Sequence, residues 1–146
     1  MLLNTALKVE TVAALFLAWM MVFVFPLGWI QRLFAPTRPP VEPDAMDRGG
    51  ATCHVSPRAS AVARRVARLS STMPFPTTCL VQAIAGALLL RRRGMRDGTI
   101  RLGVRKSGST LEAHAWLLYQ GSVVLGGDAM EGFTPLADIP AASSHR

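Results

Sequence analysis

The segment CLVQAIAGALLLRRRG, residues 79–94, sets the terms for the rest of the chain. Its alanines and leucines favour a helix, and Thr77-Thr78 offer a capping hydroxyl at its head. Arg91, Arg92 and Arg93 complement the dipole at its tail, and Gly94 stands where a terminating glycine belongs. Leu80, Val81, Ile84, Ala85, Leu88 and Leu89 leave almost no polar face. A helix apolar nearly all round is stable only when it is covered on all sides. It must therefore be central to the core.

The residues that follow supply one cover. Ile100, Leu102 and Val104 alternate with Arg101, Gly103 and Arg105, the period of a half-buried strand. Lys106–Thr110 reads as a turn. Leu111–Tyr119 alternates again, with Leu111, Ala113, Ala115 and Leu117 on one face and Glu112, His114 and Trp116 on the other. Gln120-Gly121 marks a hairpin, and Ser122–Leu125 is a third strand. Helix followed by antiparallel meander gives an α+β domain with the helix packed on the sheet. The tail after Pro135 carries no pattern and is expected to fray.

Upstream, Ser60–Leu69 places Val62, Val66 and Leu69 on one helical face with Arg64, Arg65 and Arg68 around them, a short basic amphipathic helix whose arginines are read as solvated. Residues 35–50, APTRPPVEPDAMDRGG, hold four prolines and two glycines, the composition of a linker. Before it, Thr11–Ile30 is free of charge and, at about 1.5 Å per residue, long enough to cross a bilayer. Pro26, Gly28 and a mid-segment Trp19 argue against crossing, and no small-residue cleavage site marks a secretory signal. A helix buried in the core or docked on a partner is the favoured reading, with membrane contact as the alternative. If it did span, Arg32 and Arg38 would hold the body in the cytoplasm.

Half the residues are apolar and 17% are charged, which excludes wholesale disorder. Of the formal +7, none lies in residues 1–45, where Lys8, Arg32 and Arg38 balance Glu10, Glu42 and Asp44. The excess in 46–146 suits an acidic partner. Two cysteines are too few for a disulfide framework. Cys53-His54 alone cannot hold a metal, and Cys53 is read as incidental. No GxxxxGK[ST] phosphate loop and no Gly-x-Ser-x-Gly elbow is present, and no cofactor is expected.

Cys79 is different. It opens the apolar helix, where unpaired amides and the dipole favour a thiolate. His114 stands on the second strand between Ala113 and Ala115. An acid on one imidazole nitrogen would fix the tautomer and leave the other for the thiol. Asp128 reaches the His114 face if the hairpin loop has three residues, Tyr119-Gln120-Gly121, which pairs His114 with Gly126; a two-residue loop pairs it with Gly127 and turns Asp128 away. Glu112, two places along the same strand, is the weaker rival.

Cysteine, strand histidine and next-strand aspartate on a helix-plus-sheet is the layout of papain-like and transglutaminase-like enzymes. The wording "CLVQAIAGALLLRRRG", "IRLGV" and "AHAWLLYQGSVVLGGD" resembles the lasso-peptide leader peptidases, the B proteins of that biosynthesis, over about Pro74 to Asp128. The resemblance implies a cysteine protease that cuts the leader from a ribosomally made lasso precursor, with Cys79 as nucleophile, His114 as general base and acid, and Asp128 as orienter. Two departures stand out. Leu117-Leu118 occupy the place of a customary acidic residue after the Trp, and residues 1–45 are too short and apolar for a leader-recognition domain. This implies the protease-only form, with an apolar N-terminal helical segment (1–34), a Pro-rich linker (35–57) and a transglutaminase-like cysteine protease domain (58–146). The expected partners are the precursor's leader region, a separate leader-recognition protein and the ATP-dependent lasso cyclase, with no nucleic acid. A cytoplasmic location follows, with peripheral membrane contact through residues 11–30 as the variant. A transglutaminase-like acyltransferase and a non-catalytic, membrane-associated basic adaptor are the competing functions.

Overall fold

The computed structural model describes residues 2–24 and 56–141. Three helices and four strands follow in order: α1 (Leu2–Phe23), α2 (Pro57–Ser70), α3 (Cys79–Arg92), β1 (Gly98–Ser107), β2 (Thr110–Tyr119), β3 (Ser122–Leu125) and β4 (Thr134–Pro140). Readings that fell on 25–55, including the proline-rich linker, Arg32, Arg38 and Cys53-His54, lie outside the described residues.

Helix α3 is central, as its composition demands. It packs against α1 and α2 on one side and against the sheet on the other, and Val81, Ala83, Ile84, Ala85, Leu89 and Leu90 are buried. Gly86 lets it come close: a Cβ there would stand 2.7 Å from Leu117 Cδ2. Thr78 caps the head, its Oγ1 accepting from Val81 N at 3.4 Å. At the tail, Gly94 adopts φ +76°, and the amides of Gly94 and Met95 donate to the carbonyls of Arg91 and Leu90, both at 3.0 Å. This crossed pair satisfies carbonyls the helix would otherwise leave open.

Helix α2 buries Ala59, Val62, Ala63 and Val66 and exposes Arg58, Arg64 and Arg68, so the arginines are its solvated face. Helix α1 buries Thr11, Leu15 and Ala18, and Glu10 joins it to the end of α3 through Arg92 Nε (3.0 Å) and Arg93 Nη2 (2.6 Å). The fold is therefore α+β, with an N-terminal apolar helix laid on the core.

The sheet is antiparallel, in the order β3-β2-β1-β4. Two expectations need correction. Over the described residues the chain after Pro135 does not fray: Thr134–Pro140 pairs along β1 and buries Asp138. The β2–β3 loop has two residues, Gln120 (φ 50°) and Gly121 (φ 79°), between paired Tyr119 and Ser122. Both central residues lie in the left-handed region, as the tightest hairpin turns require. The one-residue shift expected in the loop occurs instead as a bulge inside β3: Leu118 faces Val123, Leu117 faces Leu125, and Val124 is the extra residue.

Candidate active site

Cys79 is the first residue of α3, half-buried against the core and not disulfide-bonded. The chain before it is tied at both ends. Thr77 Oγ1 donates to Ser70 O at 3.0 Å, Gln82 Nε2 donates to Thr77 O at 3.0 Å, and Phe75 packs on Trp19 (5.6 Å) and Phe16 (6.1 Å) of α1. Val81 N is taken by the cap and Gln82 N by Thr78 O. That leaves the amides of Cys79 and Leu80 without a partner among the described residues, at the positive end of the helix.

His114 lies on β2 opposite Gly103 of β1. Its ring shares a face with Trp116, 5.8 Å away and near-parallel at 25°. Ala115 and Leu117 point the other way, into the core under α3. Nε2 lies 2.9 Å from the carbonyl oxygen of Gly126. A carbonyl only accepts, so Nε2 carries a proton, and the neutral form of the ring then has its lone pair on Nδ1. Nδ1 has no hydrogen bond among the described residues.

The two groups stand at the same end of the sheet. Leu90 lies by Gly98 and Gly86 by Leu117, so α3 runs with its head toward the start of β2. From Gly86 to Cys79 the helix rises about 10 Å, at about 1.5 Å per residue; from Leu117 to His114 the strand covers about the same, at roughly 3.3 Å per residue. Cys79 is therefore level with His114. At that level β3 no longer pairs with β2, since their pairing ends at Leu117 and Leu125, and Gly126 lies against Ala115 and Trp116 instead. No hydrogen bond joins Cys79 to His114, whose side chain is on the face of β2 away from α3.

Asp128 is not on a strand. It sits in a one-turn 3-10 helix, Gly127–Ala129, and is exposed, with no hydrogen bond to His114. The place expected for it beside the ring is taken by the Gly126 carbonyl. Glu112 is engaged by Arg105, whose Nη2 and Nε lie 2.6 and 3.2 Å from Oε2.

Three more residues complete the surroundings: Gly126, which the sequence marked only as a strand partner, and Phe133 and Phe75, which it did not mark. Gly126 has φ 81°, and a Cβ there would stand 3.1 Å from Ala115 O and 3.2 Å from Trp116 Cβ. Phe133 lies 5.4 Å from the imidazole and is covered by Arg105, whose Cζ is 4.5 Å from the ring centroid. Phe75 anchors the approach to Cys79. The Gly126-Gly127 pair was the one visible hint.

A cysteine at the head of a core helix, a strand histidine level with it and an antiparallel sheet beneath define a thiol-enzyme type of fold. Residues 21–138 match the transglutaminase-like superfamily, and the chain belongs to it. The superfamily includes cysteine proteases and acyltransferases. No curated protein and no solved structure matches the chain.

Proposed function

We propose that this chain is a cysteine peptidase that removes the leader from a lasso-peptide precursor. Cys79 is the nucleophile and His114 the general base and acid, while the orienting part expected of Asp128 falls to the Gly126 carbonyl, which takes its place at the ring. The observation that carries the reading is the hydrogen bond from Nε2 of His114 to Gly126 O, which leaves Nδ1 as a base on the strand level with the Cys79 thiol.

The thiol gives its proton to Nδ1, and Sγ attacks the scissile carbonyl carbon. The oxyanion is met by the free amides of Cys79 and Leu80. Collapse breaks the C–N bond, and the proton on Nδ1 passes to the leaving amine. Water then gives a proton to Nδ1 as its oxygen attacks the thioester. Release of the acid returns that proton to sulfur. The first step requires the Cys79 thiol and the His114 imidazole, which lie toward opposite faces of β2, to be brought together when substrate binds. The resemblance supplies the partners: a leader-recognition protein that delivers the precursor, and an ATP-dependent cyclase that takes the core peptide, in the cytoplasm.

The test is incubation of precursor, recognition protein and this chain, followed by mass spectrometry. Hydrolysis releases a leader fragment whose mass includes one added water; transfer to an amine gives a conjugate instead. Cys79→Ala and His114→Ala are expected to bind precursor and leave it uncut. Wild-type cleavage by either variant removes the proposal, and the basic-adaptor reading then takes its place.

A further inference from the structure

We infer that His114 is positioned by an aromatic clamp and a backbone carbonyl, with Phe133 as the positioning residue that the reaction depends on. The inference rests on the reading of His114 as the base. An imidazole on a strand has two side-chain torsions and two tautomers to fix. The Gly126 carbonyl fixes the tautomer, because it accepts only from Nε2–H. The rings fix the torsions. Trp116 lies nearly parallel to the imidazole at 5.8 Å and Phe133 lies tilted at 5.4 Å. Both distances are within the range over which aromatic rings attract.

Each member of the clamp is itself held. The tip of Trp116 lies over Gly103, where a Cβ would meet Cη2 at 2.5 Å, so only glycine leaves room for the indole. Phe133 sits beneath the Arg105 guanidinium. That guanidinium is tied to Glu112 Oε2 at 2.6 Å and to Glu131 O at 3.3 Å. Phe133 N donates to Met130 O at 3.1 Å, closing the turn that brings the ring back over the sheet. Arg105, Phe133, His114 and Trp116 thus form a continuous row on one face. Glu112 serves this row through Arg105, and Asp128, exposed and unbonded to the ring, takes no part in it.

Two readouts test this in the full-length chain. The first is nitrogen NMR of the histidines, with His114 assigned by His114→Gln, and it needs no activity. Wild type is expected to show the Nε2–H tautomer alone, and Phe133→Leu a mixture of the two tautomers at neutral pH. A wild-type Nδ1–H tautomer, or a Phe133→Leu spectrum identical to wild type, overturns the inference. The second is cleavage kinetics. Phe133→Leu is expected to lower kcat by roughly 10- to 100-fold, the scale of a misplaced catalytic group, with KM little changed. Phe133→Tyr restores the rate and Asp128→Asn leaves it within a few-fold of wild type. Equal losses in Asp128→Asn and Phe133→Leu overturn the inference. If wild type cuts no precursor, the peptidase reading fails while the tautomer measurement still decides how the ring is held.

Discussion

At Gly103 the absence of one methyl group decides where two rings can lie. A Cβ would stand 2.5 Å from Trp116 Cη2, 2.8 Å from Cζ3 and 3.1 Å from Thr134 O, so neither the indole nor β4 has room to yield cheaply. Gly103→Ala is expected to destabilise the fold by about 1–3 kcal/mol, the usual cost of overpacking. It should also slow precursor cleavage, because the displaced indole is the one stacked beside His114. Thermal unfolding and turnover measured on the same variant check both halves; unchanged melting would mean the indole is freely movable. Cys79 and His114 were legible in the sequence because each has a local signature, a helix head and an alternating strand. Phe133 was not. Nothing near it in sequence says that the chain after Asp128 turns back over the sheet, and its partners Arg105 and His114 are distant along the chain.

Among the elements, β4 was the one hidden from the sequence. Pro135 and Pro140 read as breakers, yet proline is tolerated on an edge strand, and β4 is the edge beside β1. A bulge between its pairings with Leu102 and Gly103 also breaks the alternation, leaving Leu136 exposed. What fastens it is Asp138, which receives Arg101 Nε at 2.6 Å and Nη2 at 2.7 Å. Both side chains are close to nine-tenths buried, so this pair is in the regime where losing one partner is expensive. The hydrogen bonds to Asp138 raise the Arg101 pKa above its ordinary value; burial opposes them and the charge of Asp138 adds to them. A raised pKa means the stabilisation is fully present below the ordinary arginine value and is lost only as pH rises past the folded one. Deprotonation of Arg101 therefore does not loosen β4 at any working pH. Asp138→Asn, which keeps the shape and removes the charge, is expected to cost on the order of 3 kcal/mol. Equilibrium urea unfolding measures it, and a loss below about 0.5 kcal/mol would place this pair with ordinary surface substitutions.

For the molecule as a whole, the question is what α1 belongs to. Thr5–Phe23 is long and apolar enough to cross a membrane, which is how the sequence alone could be read. In the fold one stripe of the helix faces the body. Thr11, Leu15 and Ala18 form one stripe, wholly enclosed by the body, while Val9, Phe16, Leu17, Phe23 and Val24 remain exposed. Crossing a bilayer would mean withdrawing the buried stripe from α2 and α3, opening the core above Cys79 and breaking the bridges from Glu10 to Arg92 and Arg93. The expectation is an asymmetry between neighbours. Leu15→Ala should cost about 3 kcal/mol and lower the melting temperature by roughly 10 °C, as a buried leucine does. Leu17→Ala should change stability by less than about 0.5 kcal/mol, as an exposed one does. An anchor detached from the body would make both changes neutral to the melting of the domain. The periodicity of charge-free residues could not separate these cases, because both faces of α1 are apolar; only the packing against α3 tells which face is core. If Leu15→Ala melts early and Leu17→Ala does not, α1 is part of the body that holds Phe75 and the head of the Cys79 helix in place, and any surface it offers to lipid or a partner is its outer stripe alone.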